Sequence, residues 1–210
     1  MGVNEQPMPA FHPGPSWLRE FPSTAFAMVM ATGIVSIAAH LLGYGIVGWL
    51  LLGINAVAWP ALLAITLCRL LRYPRAVHAD IVDHGRGPGF LTLVAATAVL
   101  GSQLSAYRVL PQALPWLLGL AGGLWLVVTY TFLAAMTIGQ RKPGLHTGLN
   151  GTWLLLVVAT ESIAVLATAV SPVHGASAPL DLLALAAWLL GGSLYMMLIT
   201  LISIDGASCP

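Results

Sequence analysis

Charge is scarce in this chain. Charged residues make up 7% of it, with 8 Lys and Arg against 7 Asp and Glu. An average soluble domain carries about 25% charged residues, so a water-soluble globular fold is excluded. The near-neutral balance offers nothing to a nucleic acid or other polyanion. Cysteine is scarce too: Cys68 and Cys209 are the two present, with no disulfide framework and no CxxC metal pattern. Histidine is badly placed for a cofactor. His12, His78, His84, His146 and His174 fall in loops or the tail, and only His40 lies near a helix end. A bis-His cofactor site is therefore not expected, and no metal or other cofactor is implied. No HExxH pair, nucleophile elbow or paired membrane carboxylate is present, so an enzyme is not expected either.

What the chain has in abundance is apolar length. Hydrophobic residues make up 58% of it. They gather in six runs, at 22–42, 47–71, 89–107, 114–138, 151–170 and 180–204. Each is long enough to cross a hydrocarbon core of ~30 Å as a helix. They are apolar all round, where a soluble helix would keep a polar face. The expectation is an all-α membrane protein with about six transmembrane helices and the lipid bilayer as its solvent. Residues 1–21 form a cytoplasmic N-terminal segment, 22–204 the transmembrane domain and 205–210 a short tail. The first run follows a Pro-rich polar stretch and exceeds a typical signal-peptide core of ~7–15 residues, so it reads as a retained helix.

Seven of the eight cationic residues fall on one side: Arg19, Arg69, Arg72, Arg75, Arg86, Arg141 and Lys142, against Arg108 alone. The positive-inside rule puts the N-terminus, and after six spans the C-terminus, in the cytoplasm. The longest loop, 72–88, carries Arg75, His78, Asp80, Asp83, His84 and Arg86 and reads as solvated, topology-setting charge. Its Gly85-Arg86-Gly87-Pro88-Gly89 stretch marks a turn and lacks the Lys-Ser/Thr of a P-loop.

The odd helices resemble one another. Each has an aromatic (Phe26, Phe90, Trp153), then apolar residues, then Ala-Thr: Ala31-Thr32, Ala96-Thr97 and Ala159-Thr160. The pairs recur after 65 and then 63 residues. The unit is one helical hairpin, repeated three times in parallel orientation. Small and hydroxyl residues concentrate in the odd helices, while Leu, Val and Trp dominate the even ones. Small residues suit helix contacts or a polar passage and bulky aliphatics suit lipid, so odd helices are expected inside and even helices outside. Three stripes at i, i+4 spacing are the candidate passage lining: Met28, Thr32 and Ser36; Leu93, Thr97 and Gly101; Leu156, Thr160 and Ala164. The same stripes equally suit helix packing, because Thr and Ser hydroxyls often bond their own backbone. Glu161 is the one carboxylate deep in a span. Ionised at mid-membrane it costs roughly 2.5–3.5 kcal/mol, so it must be neutral, paired or beside water. Gln103 poses a milder form of the same question, and Asp181 suits the start of helix six.

Three segments carry a family resemblance: Phe21 to Ser36, Asp83 to Ala95, and Gly151-Thr152-Trp153 through Ala159-Thr160-Glu161-Ser162. From about Ser16 to Leu201 the chain resembles the tellurite-resistance/dicarboxylate transporter family. Within it, the chain is similar to the C4-dicarboxylate and malic acid transporters, which are related to plant slow anion channels. The resemblance implies ten helices in five hairpins around a central pore lined by odd helices. It also implies a homotrimer in the plasma (inner) membrane and passage of small anions, from inorganic ions to malate-like dicarboxylates. Hydroxyl-lined neutral walls fit weak multi-site anion contact. Five hairpins of about 64 residues need ~320 residues, so helices seven to ten and the family's phenylalanine gate have no counterpart here, and residues 203–210 do not resemble the family's continuation. Glu161 stands where a neutral residue is expected. The alternative expectation is a truncated, non-transporting membrane polypeptide or assembly partner.

Overall fold

The computed structural model describes residues 16–83, 85–138, 151–174 and 177–207, and these are helical with short connections. His12, His84, Arg141, Lys142, His146 and Cys209 lie outside the described residues. Six long helices carry the fold: α1 (Ala27–Leu41), α2 (Gly45–Arg72), α3 (Leu91–Ala106), α4 (Leu114–Ile138), α5 (Leu154–Val170) and α6 (Ala178–Ala207). With their lead-in turns, six segments are long and apolar enough to span a bilayer. Two short helices, Ser16–Arg19 and Pro74–Val82, lie outside these spans.

The repeat is visible in backbone geometry. Each odd helix begins with a 3₁₀ turn that ends on its aromatic: Ser23–Phe26, Gly87–Phe90 and Gly151–Trp153. The first two hairpins also turn alike. After α1, Gly43 adopts φ 87° and the Tyr44 amide reaches back to the Ala39 carbonyl. After α3, Arg108 adopts φ 54° and the Val109 amide reaches the Leu104 carbonyl. Both are left-handed helix stops that satisfy carbonyls left over in the last turn.

Packing sorts the helices into two layers. The odd helices run α1–α3–α5, with α3 between the other two, and α2, α4 and α6 back their own hairpin partners. Buried residues make up 28%, 78% and 50% of the apolar stretch in the first, third and fifth spans, against 11%, 22% and 17% in the second, fourth and sixth. The odd helices are therefore the inner ones. The even helices present Trp49, Leu50, Ile54, Val57, Leu126, Val127, Leu182, Leu185 and Leu189 outward. That surface suits hydrocarbon, which needs no polar cover.

In the 72–88 loop Arg75, His78, Asp83 and Arg86 are exposed, as the reading of solvated charge expects, and Asp80 departs from it. Pro74–Val82 is helical and its Asp80 is buried. Arg69, 3% exposed at the end of α2, bonds Asp80 through Nη2 and also donates to the Arg19 carbonyl at 2.9 Å. Arg86 reaches the other Asp80 oxygen at 3.1 Å from a largely exposed position. A charge that leaves water must be paired, so this cluster pins α2, the short helix and the N-terminal turn together.

Candidate functional site

The three Ala-Thr threonines share one local geometry. Thr32, Thr97 and Thr160 each donate to the carbonyl four residues back, at 2.7, 2.8 and 2.8 Å to Met28, Leu93 and Leu156. That leaves the hydroxyl lone pairs free to accept. At Thr97 the donor is Trp59 Nε1 of α2, at 3.1 Å. At Thr160 it is Trp125 Nε1 of α4, at 2.9 Å. Each bond runs from an even helix to the odd helix of the following hairpin, and so stitches neighbouring repeats.

The other stripe residues take varied positions. Met28 is 52% exposed and Thr32 is partly buried, so the α1 stripe keeps an open face. Ser36 is fully buried. Its hydroxyl donates to the Gly48 carbonyl at 2.8 Å, and the Tyr107 hydroxyl donates to the Ser36 carbonyl at 2.9 Å. Leu93, Thr97, Leu156, Thr160 and Ala164 are buried. A methyl group on Gly101 would come within 2.7 Å of Leu166, so α3 and α5 cross closely there. Leu93, Thr97, Leu156, Thr160 and Ala164 thus lie in helix contacts, whereas Met28 stays open.

Glu161 is partly exposed and faces α6, where a methyl on Gly191 would overlap its carboxyl group. Among the described residues no cation pairs with it. The open side of α5 also carries Val158, Ser162 and Val165, with the Ser162 hydroxyl tied to the Val158 carbonyl at 2.7 Å.

A second polar cluster lies where α1, α2 and α3 meet. Asn55 and Gln103 are both fully buried. Asn55 Nδ2 donates to the Val29 carbonyl at 2.9 Å and to Gln103 Oε1 at 3.1 Å. Asn55 Oδ1 and Gln103 Nε2 have no partner among the described residues. Asn55 was not singled out from sequence, although an amide inside an apolar run is itself a signal. The tryptophans were missed as well. Trp59, Trp125 and Trp188 recur after 66 and then 63 residues, close to the period of the threonines. No group of three or more candidate metal ligands occurs among the described residues.

Six apolar spans, inner odd helices and a hairpin repeat define a membrane bundle of a particular kind. The model of the SLAC1 voltage-dependent anion channel family matches residues 20–205. The chain belongs to this anion-channel family. No curated protein and no solved structure matches it. Membership makes this an integral membrane protein of an anion-transporting family.

Proposed function

We propose that the chain contributes to a passage for small anions, inorganic ions or C4-dicarboxylates such as malate, bordered by the odd helices. The observation that carries the reading is the family match together with the inner placement of α1, α3 and α5. The α1 stripe supplies wall through Met28 and Thr32. On α5, Val158, Ser162 and Val165 supply it, and Glu161 stands beside them. Thr97 and Thr160 hold the wall helices in place through their tryptophan partners. Seven cationic residues against one set the N- and C-termini in the cytoplasm, with the protein in the plasma membrane. A homotrimer follows from family resemblance.

The test is flux from proteoliposomes holding the purified chain, with chloride, nitrate and malate as alternative cargos. Flux of at least one anion that falls in Met28→Trp, with insertion unchanged, supports the passage. A second reading is an assembly partner that conducts nothing by itself. Its support is the burial of Leu93, Thr97, Leu156 and Thr160 in helix contacts, which leaves few polar groups on an open wall. Folded, inserted protein that passes none of the three anions would favour this second reading.

A further inference from the structure

The left-handed stops of the first two hairpins match residue for residue, with one exchange of chemistry. Gly43, at φ 87°, and Arg108, at φ 54°, stand 65 positions apart and occupy the same place in their turns. Their amides reach back to the His40 and Ser105 carbonyls, an equal distance along the two chains of the repeat. This backbone is free for glycine and strained for a residue with a Cβ. An arginine there gives up stability, and a strained position points to a use for its side chain. That side chain lines an open cavity of about 390 Å³, within the usual size of small-molecule sites. Leu104 and Ser105 of α3, Leu114 of α4 and Ala169 of α5 form walls of the cavity, so it lies at the ends of two adjacent inner helices. The lining offers a guanidinium and a hydroxyl, and no acidic side chain. Ser105 donates to the Ala169 carbonyl at 3.4 Å, a long contact that leaves its proton easy to redirect. Arg108 is exposed and pairs with no carboxylate among the described residues. Asp181, the other fixed charge described at this end of the bundle, stands on α6 outside the lining.

We propose that Arg108 and Ser105 hold a small anion in this cavity, a loading site at one end of the α3–α5 pair. The occupant is an inorganic anion or a small carboxylate. A guanidinium is always charged and presents a fork of N–H donors to such ions. Exposure to water keeps the contact weak, which suits a site that must release its ion. The role in loading rests on the reading of an anion passage, whereas binding itself does not.

The first measurement is binding, with chloride as the probe and the full chain in nonionic detergent. The chloride NMR line width in excess of empty micelles reports exchange at the protein. Arg108→Gly installs the residue that the first hairpin uses at this stop, so the variant keeps its fold. The expected result is a fall in line width in Arg108→Gly that Arg108→Lys does not show and Arg75→Gln, at the opposite end of the bundle, does not match. Full line width in folded Arg108→Gly, or an equal fall in Arg75→Gln, would overturn the proposal. The second measurement is chloride flux in proteoliposomes, on a background of Cys68→Ser and Cys209→Ser. Arg108→Cys should raise the chloride concentration for half-maximal flux roughly fivefold, the Boltzmann weight of a unit-charge contact at ~4 Å in water. A cationic thiol reagent should reverse that rise, and an anionic one should not. A half-maximal concentration that ignores the charge at 108 would overturn the loading role. Absence of flux with charge-dependent chloride binding would sink the passage reading and support the site.

Discussion

The bond from Trp125 to Thr160 should couple α4 to α5 by an amount a double-mutant cycle can resolve. The perturbations are Trp125→Phe, Thr160→Val and both together. Thr160→Val is nearly isosteric and removes the acceptor, but leaves the indole N–H without a partner, at a cost of about 1–3 kcal/mol. Trp125→Phe removes donor and ring area together, so its single effect also contains lost packing. The cycle subtracts that packing and isolates the pair. The donor–acceptor distance of 2.9 Å is that of a well-formed bond, with a buried acceptor, Thr160 at 2% exposure, and a half-buried donor. Interhelical hydrogen bonds in bilayers average ~0.6 kcal/mol and reach ~1.7, so the coupling should fall within that range. Thr160 also keeps its back-bond to Leu156, at 2.8 Å, which orients the lone pairs toward the indole. The assay is reversible unfolding in mixed micelles, read as the fraction of folded protein against denaturing detergent. Trp188 with Thr160 serves as a non-bonded reference pair. Coupling equal to that of the reference pair would refute the assignment of the threonines to repeat stitching.

The remaining predictions use the same unfolding readout. Asp80→Asn should destabilise by about 3–5 kcal/mol, because Arg69 is buried and would lose its carboxylate. Arg86→Ala should cost little, since that partner is mostly exposed; equal losses in the two variants would contradict the difference in burial. Arg108→Gly should stabilise by about 0.5–1 kcal/mol, because φ 54° is strained for a side-chain-bearing residue and free for glycine, less the extra backbone entropy glycine loses. Gly191→Ala should destabilise by about 1–3 kcal/mol through overlap with Glu161. Adding Glu161→Ala should restore most of that loss, and failure to do so would mean the overlap is relieved elsewhere.

The layered bundle was legible because a bilayer imposes two coarse rules. Length and hydropathy mark a span, and helix-wide composition separates lipid-facing from protein-facing helices. Both rules average over about twenty residues, so a single unusual side chain cannot mislead them. The hairpin repeat was legible for a related reason: Phe26, Phe90 and Trp153 end the 3₁₀ turns that begin the odd helices, and such a turn fixes the register of everything after it. The short helix Pro74–Val82 was not legible. Its charges look like solvent-facing residues until Arg69, eleven positions before Asp80, folds back and buries the pair. Period and composition carry no information about that return.

The threonine stripes were the hardest to assign, and the reason is physical. A hydroxyl at Thr97 looks the same in sequence whether it faces a passage or another helix, because its first hydrogen bond goes to its own backbone either way. What decides its role is the second bond, and that depends on a residue from another helix. At Thr97 the deciding residue is Trp59, 38 positions earlier, and at Thr160 it is Trp125, 35 positions earlier. Those separations are nearly constant because both partners sit in one repeat frame. A stripe of threonines alone is therefore ambiguous, whereas threonine and tryptophan recurring together at one period specify a contact between repeats. The same test applied to α1 leaves Thr32 without a tryptophan donor among the described residues. Its neighbour on that face, Met28, stays exposed. Met28 and Thr32 thus form the face of α1 that is left for a passage wall. A bulky residue at Met28 should reduce anion flux from proteoliposomes with insertion unchanged, and unchanged flux would remove α1 from the wall.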